Sequence, residues 1–335
     1  MKYLVVKLMV LLMVLALTGI VYQIVATAKD NQKYPPPGRL VKVGDYQLHL
    51  HCIGEGSPTV VMDYGLAGLS PLWNPVQTQV AKFAKVCTYD RGGYGWSEKN
   101  QKPRTSEQMV QELYTLLKNG GVQGPYLLVG HSLGGLNVRL FASKYPDEVE
   151  GMVLVDAVPA DVYSHLSPEW QNSMDATKRM FRSLSVITRL GLLRLLLQIQ
   201  GTSAAPDFVQ KLPREIQPVV LAKFLPQTFD TAITENSYME ISAMQVKQAK
   251  FNQKLPLIVL SHGINMFSDL SEEKARQAER IWQQLQAETA NLSEKGKLII
   301  AAQSGHNVHI DQPELVVNAI HQVTKQIKSY QPVTK

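Results

Sequence analysis

The stretch Gly130-His131-Ser132-Leu133-Gly134 constrains this chain more than any other. Tyr126 to Gly130 is apolar enough to form a strand buried on both faces. From Leu133 to Lys144, Leu136, Val138, Leu140 and Phe141 recur at near-helical spacing. Gly-x-Ser-x-Gly therefore falls on a strand-to-helix turn. Its two glycines allow a sharp backbone turn and keep side chains away from the serine. Such a turn holds the Ser132 hydroxyl above a sheet. The first N–H groups of the following helix then face any anion that develops there. A chance occurrence of the pattern seldom lands between a buried strand and a helix.

At 335 residues, with 45% hydrophobic and 19% charged residues, the chain has ample material for one large α/β domain plus an insertion. A net charge of +6 is mild, and no basic run carries interleaved aromatics, so the sequence gives no sign of a nucleic-acid partner. Neither Cys52 nor Cys87 belongs to a C-x-x-C pair. No metal-ligand spacing and no Gly-rich dinucleotide fingerprint occur, so neither a cofactor nor a metal is expected.

Leu8 to Ala26 is an uncharged, mostly apolar run. As a helix it would be about 28 Å long, close to the hydrocarbon thickness of a bilayer. Its length favours a retained anchor. Ala26-Thr27-Ala28 also reads as a cleavage site for a removed signal peptide, in which case the protein is secreted. Flanking charges do not fix the orientation. The chain divides into an anchor or signal (1–28), a first core part (29–159), a helical insertion (160–251) and a second core part (252–335). Asn31 to Gly38, with three prolines, reads as a stiff linker. A hairpin from Leu40 to Cys52 follows, then buried strands at 60–62, 86–89 and 152–155, the last ending in Asp156. Thr105 and Gln108 predict a capping box. Within the insertion the strand rhythm disappears, and Gly191, Gly201, Pro206, Pro213, Pro218 and Pro226 interrupt helical patterns. Strands return at 257–261 and 298–302, and Gly305-His306 follows the second.

A hairpin followed by alternating strands and helices implies a mostly parallel sheet covered on both faces. Three pieces then carry a likeness: Gly130 to Gly135, Asp90 to Ser97, and Ser304-Gly305-His306 before Asp311-Gln312-Pro313. Together they resemble the α/β-hydrolase fold. The resemblance implies an eight-stranded, mostly parallel sheet with helices on both faces and a helical lid inserted after the sixth strand. It implies Ser132 as nucleophile and His306 as the general base that takes its proton. His309 lacks the Gly-His context, and His131 supports the turn from below. The oxyanion hole would use the backbone N–H groups of Leu133 and of Leu66, which follows Tyr64-Gly65 where relatives commonly carry His-Gly. Asp90-Arg91-Gly92 is a structural turn without a chemical role.

The third triad member is where this sequence departs from the commonest pattern. Most relatives place an Asp shortly after the seventh strand, but Gly263 is followed by Ile264, Asn265 and Met266. Asp269 is the nearest acid, and with Glu272 it reads as a helix-capping pair. Asp156, at the end of the sixth strand, is favoured over Asp269. The resemblance also makes Cys52 and Cys87 neighbours, either as a disulfide or as two reduced thiols.

A serine at the nucleophile position points to acyl transfer, whereas dehalogenases and epoxide hydrolases of this fold use an Asp. The resulting expectation is a membrane-associated serine hydrolase acting on a small-molecule carboxylic ester with an apolar acyl group. The alternatives are a peptidase like proline iminopeptidase and a non-catalytic binding module. From Lys178 to Arg194 there are five basic residues and no acidic one, interleaved with Met180, Phe181, Leu184, Val186, Ile187 and Leu190. This segment is expected to face a bilayer, roof an acyl pocket, or pack as an ordinary core helix.

Overall fold

The apolar run at the start of the chain forms one helix, α1 (Lys2–Lys33), in the computed structural model, which describes residues 1–330. Asn31 to Lys33, expected in the linker, continue this helix, and Pro35-Pro36-Pro37 stop it. Residues 2–15 of α1 are exposed throughout.

Next come the hairpin strands β1 (Arg39–Val43) and β2 (Tyr46–Ile53), then β3 (Thr59–Asp63), α2 (Asn74–Val80), β4 (Val86–Tyr89) and α3 (Ser106–Asn119). The Thr105 side chain accepts from the Gln108 N–H at the start of α3. Gln108 does not complete the box, because its own side chain donates to Glu112. β5 (Tyr126–His131) leads through Ser132 into α4 (Leu133–Lys144), which β6 (Val149–Val155) follows.

Between β6 and β7 (Leu257–His262) the chain is helical: α5 (Pro168–Arg189), α6 (Leu192–Gln200), α7 (Asp207–Gln210), α8 (Gln217–Lys223), α9 (Pro226–Ser237) and α10 (Met239–Gln248). Gly191, in the left-handed region at φ +71°, separates α5 from α6. Pro218 and Pro226 stand in first turns, where a missing N–H costs nothing, so they begin helices and do not interrupt them. α11 (Glu272–Ala290), β8 (Gly296–Ala301), α12 (Val308–Asp311) and α13 (Pro313–Tyr330) complete the domain. Ser271 occupies the N-cap position just before α11 and makes no side-chain capping bond. Asp269 is exposed and accepts a hydrogen bond from the Ser173 hydroxyl of α5, so the expected Asp269–Glu272 capping pair is not formed.

The eight strands lie in the order β1-β2-β4-β3-β5-β6-β7-β8. β2 is antiparallel to both neighbours, and all pairs from β4 onward are parallel. Central strands alternate their side chains between two cores, as the period of two requires. Leu128, Met152, Leu154 and Val259 face a core shared with α3, α4 and α11. Leu127, Val129, Val153, Val155 and Leu260 face one shared with α2 and α13. Each such side chain, fully buried, contributes on the order of 1.5–3 kcal/mol.

Register aligns the strand ends: Asp63 pairs with Gly130, His131 with Val155, and His262 with Ala301. Residues just past these ends therefore collect at one edge of the sheet, where ligand sites of open α/β sheets form. Cys52 and Cys87 pair across β2 and β4 and are joined by a disulfide.

Candidate active site

Among the described residues, three other than glycine adopt positive φ, and all lie at this edge: Ala67, Ser132 and Asp156, at 56°, 53° and 42°. Such conformations cost roughly 1–3 kcal/mol each and persist only where surrounding packing imposes them. At Ser132 the packing is evident. A Cβ on Gly130 would come within 2.6 Å of the Gly134 carbonyl oxygen, and one on Gly134 within 2.4 Å of the Asp63 carbonyl oxygen. The Ser132 carbonyl accepts from Gly135 and Val158, and its N–H donates to Val155. The side chain faces Gly65, where a Cβ would stand 3.2 Å from the Ser132 hydroxyl oxygen.

The loop after β8 brings His306 to the same place. Asp311 anchors that loop by accepting from the Ser304 hydroxyl and the Gly305 N–H. His131 holds it from the other side, donating through Nε2 to the His306 carbonyl at 3.0 Å. Its ring lies 4.7 Å from that of His306 and 4.5 Å from that of His309. Burial, reinforced by the neighbouring His306, pushes the His131 pKa down to about 3, so the ring packs uncharged. His131 thus fastens the turn to the His306 loop, a larger part than support from below. His309 is buried beneath and hydrogen-bonded to the Tyr64 hydroxyl.

Asp156, not Asp269, meets His306: its carboxylate lies 2.6 Å from His306 Nδ1. Burial alone would raise the pKa of Asp156. Hydrogen bonds from His262 and His306 outweigh it and hold the carboxyl well below the usual range.

Leu133 begins α4, where its N–H has no intrahelical acceptor. The Leu66 N–H has no partner among the described residues. Arg91 keeps the preceding segment in place, donating to Asp63 and to the carbonyls of Tyr64 and Gly65. Its remaining donors go to Glu235 of α9. The turn at Asp90-Arg91-Gly92 is structural, as expected, and it orders the Leu66 loop.

A family model described as alpha/beta hydrolase fold matches residues 58–313. The chain belongs to the α/β-hydrolase family. The protein YqjL of Bacillus subtilis is 30% identical over 274 residues, covering 82% of this chain and 86% of its own. Among solved structures, an epoxide hydrolase mutant of Vigna radiata superposes with TM-score 0.63 at 17% identity, covering 86% of this chain and 98% of its own. A thermophilic esterase of Thermogutta terrifontis gives TM-score 0.54 at 19% identity, with 86% and 97% covered. These two likenesses concern the fold alone.

In this α/β hydrolase a second histidine, not singled out in the sequence, shares the Asp156 carboxylate. His262, the last residue of β7, places Nδ1 2.8 Å from it and Nε2 3.1 Å from Glu279. Trp282 adds an indole N–H at 3.1 Å. The available signal was a histidine at the end of the apolar run Leu257 to Leu260 and Ser261, immediately before Gly263. Burial would lower the His262 pKa, but Asp156 and Glu279 outweigh it and push it up to about 9. The ring is therefore charged at neutral pH, offsetting the buried carboxylate.

Because that folded pKa exceeds the ordinary value near 6.5, the native state holds this proton more tightly than the unfolded chain does. The resulting stabilisation is complete below pH ~6.5 and is lost as pH rises through about 9. The thermal midpoint should fall over this window, and His262→Gln should flatten that slope. A variant whose slope matches the wild type would show that His262 is not the group being titrated.

Proposed function

We propose that this α/β hydrolase cleaves carboxylic esters through an acyl-enzyme formed on Ser132. The reading rests on one arrangement: a serine on a strained turn beside Gly65, and, tied to that turn through His131, a histidine whose Nδ1 lies 2.6 Å from a buried carboxylate. His306 takes the Ser132 proton as the hydroxyl oxygen attacks the ester carbonyl carbon. The N–H groups of Leu66 and Leu133 receive the charge that develops on the carbonyl oxygen. The C–O bond to the alcohol then breaks, and His306 returns the proton to the leaving oxygen. Water, activated by the same histidine, releases the acid. Asp156 fixes the His306 tautomer and stabilises its cationic form. The helices between β6 and β7 serve as a lid over an apolar acyl site.

The protein acts from a membrane, anchored by α1, with its catalytic domain on the exported side. α1 is apolar over the length of a bilayer, and the Cys52–Cys87 disulfide suits an oxidising compartment. Retention of the helix is favoured over cleavage near Ala28, because Tyr22 and Gln23 are hydrogen-bonded to α6.

The test is hydrolysis of p-nitrophenyl esters of increasing chain length by the full chain in detergent, beside a prolyl anilide. Ester turnover that improves with acyl length is expected. Cleavage of the anilide alone would point to a peptidase. No turnover, with no labelling of Ser132 by a fluorophosphonate, would leave a binding module.

A further inference from the structure

The exposed apolar surface of this protein is concentrated in one place outside α1. Among the described residues outside α1, seven of the twelve exposed large apolar side chains belong to α5 and α6: Met180, Val186, Ile187, Leu192, Leu195, Leu196 and Ile199. Ile199 alone keeps 74% of its surface. Nothing in the domain covers them, yet α6 is not a free arm, because α1 holds it.

The attachment fixes a depth. Tyr22 of α1 donates to Gln198, and Arg194 donates to Gln23 and forms an ion pair with Asp30. One helical turn further into the apolar run, the two backbones meet with little between them. A Cβ on Gly19 would lie 2.3 Å from the Leu190 carbonyl oxygen, and one on Gly191 3.0 Å from the Gly19 carbonyl oxygen. Gly19 stands seven residues before Ala26, the end of the uncharged run. At 1.5 Å per residue, the α5–α6 corner therefore lies about 10 Å inside that end. The run as a whole, about 28 Å long, just fills a hydrocarbon core, so its end marks the membrane boundary. Interfacial helices bury their apolar faces by roughly 5–10 Å at this boundary.

We propose that the α5–α6 corner is a second membrane-contacting element, inserted beside α1 into the acyl-chain region of a lipid bilayer. The inference rests on α1 being a membrane span. Charge agrees with the placement. Arg179 and Arg182 are exposed on α5 and have no ion-pair partner among the described residues, so they are available to anionic headgroups. Arg189 and Arg194, nearer the corner, are neutralised by Asp230 and Asp30. The protein thus pairs the bases closest to the apolar region and leaves unpaired those farther back along α5.

The only cysteines are joined in the disulfide, so one introduced thiol can carry a fluorophore. The full chain, labelled singly at Leu12→Cys, Leu195→Cys, Ile199→Cys or Ile241→Cys, is reconstituted into vesicles of phosphatidylcholine and phosphatidylglycerol. Some of the lipid bears a quencher on its acyl chain. Labels at Leu195→Cys and Ile199→Cys should lose about half their emission, as should Leu12→Cys, while Ile241→Cys on α10 keeps its own. Quenching at Leu12→Cys alone would overturn the proposal and leave the anchor standing. Quenching at none of them would overturn both. Emission at Ile199→Cys that ignores the lipid quencher but self-quenches as protein density rises would also overturn it, showing that a second copy covers the corner.

Discussion

Ser132→Ala is expected to lower kcat for ester hydrolysis by about a millionfold, because serine and histidine act as one unit and the loss of either removes the covalent route. The fold should tolerate the change. Ser132 donates and accepts through its backbone, and its side chain caps no helix. Alanine can therefore be held in the same turn, and the thermal midpoint should stay within a few degrees of the wild type. KM should also change little, because substrate binding does not depend on the nucleophile. Fluorophosphonate labelling would vanish with turnover. A variant that still hydrolyses esters at more than a hundredth of the normal rate would mean that another nucleophile does the work, and the assignment of Ser132 would fall.

The second expectation separates two acids. Asp156→Asn should reduce kcat by about 10⁴, since an amide cannot stabilise the imidazolium and favours the wrong tautomer of His306. Asp269→Asn should leave turnover near normal, because Asp269 is exposed and, among the described residues, accepts from Ser173 and makes no hydrogen bond to His306. Asp156→Asn also leaves His262 beside an uncharged partner, so it should lower the thermal midpoint. Assays must therefore run well below that midpoint, with the folded fraction checked by circular dichroism. The reverse pattern, with Asp269→Asn inactive and Asp156→Asn nearly normal, would transfer the role to Asp269.

Much of this arrangement was legible because its determinants are local. Gly130 and Gly134 mark a turn that no other residue could make, and the apolar strand before it fixes where the serine emerges. The positions of Asp156 and His306 follow from strand ends, which hydrophobic runs reveal. Their 2.6 Å approach followed only from likeness to a known family, since 150 residues separate them. What escaped was the set of contacts made between distant segments by residues with ordinary local explanations. Asp269 reads as a helix cap in the sequence, yet Ser271 holds the N-cap position. His262 lies one residue past the strand expected at 257–261, and its ion pair with Asp156 spans 106 residues. The helices between β6 and β7 were foreseen as helices, because proline and glycine mark their limits. Their docking on α1 depends on two glycines 172 positions apart, Gly19 and Gly191, and no period in the sequence links them.

The Arg91–Glu235 pair has a consequence for how this enzyme family can vary. The guanidinium comes from the turn after β4, whereas the carboxylate comes from α9, one of the helices between β6 and β7. Exchanging that insertion for one without an acid at the Glu235 position would remove one of the two carboxylates that pair with the buried Arg91 and leave Asp63 alone to offset it, a destabilising change. The segment therefore cannot drift as a free module. Change in the inserted helices is thereby coupled to the core through one side chain, Glu235, which also meets Arg104 and Tyr94.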